Sequence, residues 1–314
     1  MTPDTLTAGA GPGFEPRLVE VAANAYAYVQ PDGTWWINNA GFVVGSDGVI
    51  LIDTCSTEQR TRALLAAVRT VTAAPIRIVV NTHHHGDHTH GNYLTAPAAI
   101  VAHARCRDEV ARAGIQHYEQ IFEQPDWGGL QPSAPNVTFD SRLDLWADDV
   151  LVELHHPNGP AHTTNDVVAW LPAHRVLYTG DLVFHGGTPF VLMGSITGSL
   201  KALDLLRAFD AAVVVPGHGE VCGPEVFDTI ERYLVMIEGV AARALDAGIS
   251  PLDAARAVDL GEFALLSDSE RLVGNLHRSM AEQSGRTVDE PRFLRAAIAD
   301  MVLFRGSALL PCSA

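Results

Sequence analysis

Residues 76–81 read IRIVVN, and the chain then breaks into THHHGDHTH. A short run that is apolar almost throughout is what a strand looks like when both of its faces are covered. At its carboxyl end stand five histidines and one aspartate between positions 83 and 90. In layered α/β folds the loops leaving the carboxyl ends of strands carry the chemistry. The fold must therefore bury this strand on both sides and still open its end to a polar site.

The rest of the chain supplies the layers. RLVEVAANAYAYVQ alternates, WWINNAGFVVG follows PDG as a second strand, and VILIDT after SDG reads as a buried one. TEQRTRALLAAVRTV carries Leu64, Leu65, Val68 and Val71 at helical spacing, and Pro75 ends it. AAIVAHA is a strand and RCRDEVARAG a helix, and residues 116–148 are irregular and rich in Pro, Gly, Trp and Asp. DVLVELHH, DVVAWLP and RVLYTGD then add three strands, SLKALDLLRAF a helix, and AAVVVPGHGE a strand ending in a loop; from Pro224 the pattern is helical. Two runs of strands with flanking helices predict two packed sheets with helices outside. The expected organisation is a loose tail over residues 1–16, a large α/β domain over 17–235 and a helical extension over 236–314.

Charge excludes some functions. Lys+Arg number 21 against 37 Asp+Glu, a formal net charge of -16 that repels phosphate backbones. Nucleic acid and anionic membrane surfaces are not expected partners. No apolar run reaches the length of a membrane span. The first residues lack the basic and apolar segments of a signal peptide, so the expected compartment is the cytoplasm. Lys201 is the single lysine, which leaves a lysine base one carrier. Cys55, Cys106, Cys222 and Cys312 are far apart and form no C-x-x-C, so they read as reduced, packed thiols.

Imidazole nitrogen and carboxylate oxygen are the donors that zinc and similar divalent ions take. His83 and His85 are two apart, so at a strand end they point the same way while His84 points elsewhere. Asp87 and His88 follow a glycine that lets the chain turn, and they could face a neighbouring ion. Far downstream, GPAHTTND holds His162, YTGDLVF holds Asp181 and VVVPGHGE holds His218, each near a predicted strand end. A Gly or Pro precedes each within three residues, where the backbone can bend sharply.

With those segments in place, residues 17–237 resemble the metallo-β-lactamase-fold hydrolases. The resemblance implies an α/β chain folded as a four-layer αββα sandwich with a C-terminal helical addition. It implies that His83, His85 and His162 bind a first metal, that Asp87, His88 and His218 bind a second, and that Asp181 bridges both. Asp53 of VILIDT would sit behind the ligands and hold an imidazole in the right tautomer. His84, His90, His103, His117, His155, His156, His174 and His185 match no ligand position; His185, four residues after Asp181, reads as a surface-loop residue. The expected cofactor is two Zn2+, with Fe or Mn as alternative divalent ions.

Two adjacent cations acidify a bridging water, and the resulting hydroxide would attack a carbonyl whose oxyanion a metal stabilises. Asp87 is the expected catalytic residue, accepting a proton and orienting the nucleophile. Members of the family that open β-lactams usually lack the bridging aspartate and are exported. Asp181 thus points to the thioesterase, lactonase and glyoxalase-type branch. A weaker likeness, over residues 195–219 and the helical tail, is to thioesterases and cyclases of aromatic polyketide intermediates. The expected partner is a small-molecule acyl substrate, free or carrier-bound, and a homodimer is compatible. Arg271 and Arg278 lie in the tail, but SERLVGNLHRSMAEQSG does not match the basic motif of the glutathione-thioester enzymes. The rival readings are a mononuclear iron persulfide-type dioxygenase and, behind it, a β-lactamase. YEQIFEQPDWGGLQP suits a bulky apolar substrate or a dimer contact, and the apolar tail helices are expected to pack near it.

Overall fold

A computed structural model describes residues 15–30, 33–285 and 290–314. The tail expected over residues 1–16 lies outside the described residues except for its last two. The first half of the chain contains β1 (Arg17–Ala22), β2 (Ala25–Val29), β3 (Ala40–Val44), β4 (Val49–Ile52), α1 (Glu58–Val71) and β5 (Ile76–Val80). It continues with α2 (Gly86–Thr89), β6 (Ala99–His103), α3 (Ala104–Ala113) and β7 (Val137–Phe139). These strands form one sheet in chain order, antiparallel from β1 to β4 and parallel from β4 to β7. The second sheet holds β8 (Arg142–Ala147), β9 (Val150–His155), β10 (Val168–Leu171), β11 (Val176–His185) and β12 (Val213–Gly219). Its order is β12-β11-β10-β9-β8, and only β11 and β12 are parallel, joined through α4 (Ile196–Ala208). The chain then runs through α5 (Val226–Ala247), α6 (Pro251–Ala257), α7 (Arg271–Gln283) and α8 (Glu290–Arg305).

β4 shows why the layers stack. Val49 and Leu51 pack on Leu64 and Val68 of α1, whereas Ile50 and Ile52 face Val152, Leu154, Leu171 and Val215 of the other sheet. Alternate side chains of one apolar strand thus serve two cores. On the far face of the second sheet, Val168, Trp170 and Leu177 pack in one cluster with residues of α4 and α5. The result is the αββα sandwich with C-terminal helices that the resemblance implied.

Two segments differ from the sequence expectation. WWINNAGFVVG is strand only from Ala40; before it the Ile37 amide donates to the Thr34 carbonyl at 3.0 Å and Trp36 has a φ of 70°. The Asn38 and Asn39 side chains hydrogen-bond to backbone here, which competes with a ladder. Residues 116–148 also hold β7 and the edge strand β8, whose Trp146 is exposed. An edge strand that buries only one face lacks the continuous apolar run of β5.

The expected junction at 235–236 falls inside α5. Leu272, Val273 and Leu276 of α7, Ala297 and Met301 of α8, and Leu310 share one buried cluster with Leu177 of β11. The tail also meets the aromatic loop: the Glu123 amide donates to the Leu310 carbonyl at 2.9 Å and the Leu310 amide to that of Ile121 at 2.7 Å. Among the described residues no helix is long and apolar enough to cross a membrane.

If α7 belongs to this core, Leu276→Ala, at a fully buried position, should cost about 2–5 kcal/mol in urea unfolding. Leu265→Ala, where the side chain is 97% exposed, should stay within about 0.5 kcal/mol. Equal costs would place α7 outside the core.

Candidate metal centre

The candidates dispersed along the sequence converge at one place. The ligand atoms of His83, His85, His162 and Asp181 lie within 4.8 Å of one another, as do those of Asp87, His88 and His218. Asp181 touches both groups. Its Oδ2 is 3.4 Å from His162 Nε2, 3.8 Å from His83 Nε2 and 3.3 Å from His218 Nε2, and its Oδ1 is 3.1 Å from His88 Nε2. Asp87 Oδ2 is 3.3 Å from His218 Nε2 and 3.8 Å from His88 Nε2, while His162 Nε2 is 3.0 Å from His85 Nδ1.

The backbone is shaped for this. β11 changes register on both sides of Gly180, and Gly180 has a φ of 50°, so the chain kinks just before Asp181. Gly217 leaves the space Asp181 occupies, since a Cβ there would lie 1.9 Å from Asp181 Oδ1. Asn39 ties down the neighbouring turn, donating from Nδ2 to the carbonyls of Pro216 at 2.9 Å and Gly219 at 2.7 Å.

Outer contacts fix the rings. Asp53 Oδ2 lies 2.8 Å from His88 Nδ1, and both Asp53 oxygens accept from Thr82. His83 Nδ1 is 3.1 Å from Thr82 Oγ1, His162 Nδ1 is 2.5 Å from the Phe190 carbonyl, and His85 Nε2 is 3.3 Å from Met193 Sδ. Asp53 thus lies behind the His88 imidazole. His84 turns to Asn165, at 3.0 Å, and His185 is exposed with Nδ1 2.9 Å from the Glu220 carbonyl.

The residues fit a divalent ion. Bonds of about 2.0–2.1 Å around a tetrahedral zinc put ligand atoms about 3.3 Å apart, close to the separations seen. His83 Nε2, His88 Nε2 and Asp181 Oδ1 are buried with no hydrogen-bond partner among the described residues. With His88 Nδ1 given to Asp53, its Nε2 faces the Asp181 carboxylate at 3.1 Å, an arrangement that calls for positive charge between them, a proton or a metal cation. The electrostatics agree. Against the cost of burial, Asp181, Asp53 and Asp87 push the His88 imidazole well above the usual range, and Asp181 and Asp87 raise His218 to about 9. Burial, reinforced by neighbouring imidazoles, holds His83 and His85 well below it, in the neutral form that binds metal. Asp87 and Asp181 stay well below the ordinary carboxylate range: burial opposes this, but His88 and His218 outweigh it.

Some of the machinery gave no clear sequence signal. The Phe190 acceptor is a backbone carbonyl, so its side chain announces nothing. α7 braces that loop: Arg271 donates to the Thr188 carbonyl at 3.1 Å, Asn275 to that of Pro189 at 2.7 Å and Arg278 to that of Leu192 at 2.8 Å. The Val191 amide returns a bond to Asn275 Oδ1 at 2.8 Å. Arg271 and Arg278 are buried and hold main chain. Polar residues at 271, 275 and 278 share one helical face, a spacing from which the brace could have been read.

Residues 33–218 match the metallo-beta-lactamase superfamily. The chain is 26% identical to a linear primary-alkylsulfatase of Pseudomonas sp. (strain ATCC 19151) over 65% of its own length and 47% of that protein's, so it spans about half of that relative. It is 27% identical to the alpha subunit of a 2,4-dinitroanisole O-demethylase from Nocardioides sp. (strain JS1661), over 81% of this chain and 74% of the other. It is similar in fold to a metallo-beta-lactamase from Pontibacter korlensis, with a TM-score of 0.59 and 20% identity over 70% of this chain and 99% of that one. By its matched residues, the chain belongs to the metallo-beta-lactamase superfamily.

Proposed function

We propose that the protein is a two-cation hydrolase that cleaves an acyl thioester, ester or lactone with a flat, apolar acyl part. The observation that carries this reading is the Asp181 carboxylate, which lies 3.1 Å from His88 and 3.4 Å from His162, imidazoles of the two separate groups. Divalent cations held there, zinc foremost for so imidazole-rich a donor set, would acidify a water and polarise the acyl carbonyl. Asp181 holds the two groups at a fixed separation. Asp87 takes the proton of the attacking water and orients it. The water oxygen bonds to the acyl carbon, the C–S or C–O bond breaks, and the proton passes from Asp87 to the departing sulfur or oxygen. A single-iron dioxygenase would need only a subset of these ligands and would leave the Asp87, His88 and His218 group without a task.

Beside Asp87 stands an aromatic wall. A Cβ on Gly86 would lie 2.9 Å from the Trp36 ring. Trp36 meets Trp127 at 5.0 Å, Phe122 at 5.5 Å, and Tyr118 and His90 each at 5.9 Å between ring centres. Trp36, Phe122, Trp127 and His90 are buried and back Tyr118, whose exposed ring is the face that favours a planar apolar group. The names of two relatives specify a linear alkyl chain and a dinitroanisole ring, each with an apolar body. A polyketide-type acyl thioester, free or carrier-bound, is the substrate chemistry that suits the wall on this reading.

A panel of aromatic and short-chain acyl thioesters, esters, lactones and β-lactams tests the proposal. Hydrolysis of aromatic acyl substrates is expected, abolished by a chelator and restored by Zn2+. Turnover that needs dioxygen and one iron would contradict it. Asp181→Asn should lower kcat by more than about a hundredfold and weaken metal binding without unfolding the chain. His84→Ala, at a ring turned to Asn165, should leave both near wild type; loss of metal in that variant would show the register to be misassigned. Tyr118→Ala, at the exposed edge of the wall, should raise KM for aromatic acyl thioesters about 5- to 10-fold and leave an acetyl thioester unchanged. Equal effects on both would remove the wall from substrate binding.

A further inference from the structure

His218 differs from the other imidazoles of the site. Thr82, Met193, Asp53 and the Phe190 carbonyl occupy the outer ring nitrogens of His83, His85, His88 and His162. His218 Nδ1 is buried with no hydrogen-bond partner among the described residues. No hydrogen bond to its second nitrogen therefore sets the ring plane. The contact that does lie against it is flat: the Phe184 ring is 5.1 Å away between centres with an interplanar angle of 10°.

Phe184 is itself held from outside the sandwich. The Arg271 guanidinium of α7 lies 5.2 Å from the Phe184 ring centre and 4.2 Å from that of Trp35. A planar cation between aromatic faces is a strong, orienting contact when desolvated, and Arg271 is only 1% exposed. Its position is fixed by the Thr188 carbonyl at 3.1 Å and the buried Asp268 carboxylate at 2.8 Å. Trp35 is fixed in turn, donating from Nε1 to Glu270 Oε1 at 2.8 Å, and Glu270 Oε2 meets Arg305 of α8 at 3.2 Å.

We propose that the C-terminal helices position His218 through this His218–Phe184–Arg271–Trp35 stack, making Phe184 and Arg271 positioning residues for the second cation. The inference rests on the two-cation reading. It gives the extension beyond the sandwich a task at the metal centre without supplying a ligand. It also predicts an asymmetry: Phe184 lies flat on His218 but only tilted against His162, at 5.9 Å and 60°, so damage to the stack weakens the cation held by Asp87, His88 and His218 far more than the one held by His83, His85 and His162.

The test is titration of the full-length apoprotein with Zn2+ and with Co2+, followed by calorimetry and by visible absorption. Phe184→Leu keeps an apolar side chain but removes the flat face. It should raise the Kd of the second equivalent about 10- to 100-fold, shift the first far less, and alter the Co2+ spectrum mainly as the second equivalent is added. Phe184→Tyr keeps the face, and the cavity of about 260 Å³ that Phe184 borders gives its hydroxyl room, so wild-type affinity should return. Arg271→Lys keeps the charge but loses the plane, and should weaken the second equivalent as Phe184→Leu does; because Arg271 also braces the loop whose Phe190 carbonyl meets His162, the asymmetry is read from Phe184→Leu. Wild-type second-site affinity and spectrum in Phe184→Leu would overturn the inference, as would equal weakening of both equivalents. A wild-type chain that binds one equivalent only would overturn the two-cation reading itself, and the inference with it.

Discussion

The rest of the structure is organised around the burial of one carboxylate. Asp181 is 7% exposed and lies among four imidazoles from three other segments of the chain. An anion taken out of water costs several kcal/mol unless charge and hydrogen bonds compensate it. The compensation here is not local. It needs the loop after β5, the turn that carries His162, the kink in β11 and the end of β12 to arrive at one point. The parallel pairs β4–β5 and β11–β12 of the two packed sheets carry Asp53, the loop after β5, Asp181 and His218 towards that point.

Rigidity is supplied in shells. Asp53 leaves β4 with a φ of 60°, a conformation short polar residues tolerate, and from there reaches both Thr82 and His88. The loop over residues 188–192 offers a carbonyl to His162, and α7 holds that loop with three side chains. Removing one such contact would not open the fold, yet each one fixes a tautomer or a ring direction. The helices beyond the sandwich are therefore coupled to the centre through the loop they brace.

Much of this was legible in the sequence because its signals are local. IRIVVN announces a strand covered on both faces, and the residue types in THHHGDHTH, GPAH, TGD and PGHG announce metal chemistry. The β4–α1 alternation was equally open to view. What escaped depends on tertiary partners. Asn38 and Asn39 look like strand residues until their side chains find backbone. The Phe190 carbonyl has no side-chain signature at all. Arg271 looks like a surface or ligand-binding arginine, and only the fold shows it buried between Trp35 and Phe184. The edge strand β8 was hidden because it buries a single face.

The central claim is that Asp181 stands between two cations. Anomalous diffraction at the zinc edge, from crystals of the full chain grown with Zn2+, tests it most directly. Two peaks about 3.5–4 Å apart are predicted, one beside His83, His85 and His162, the other beside Asp87, His88 and His218, with Asp181 in reach of both. A single peak at full zinc loading, with the second group empty, would contradict the account.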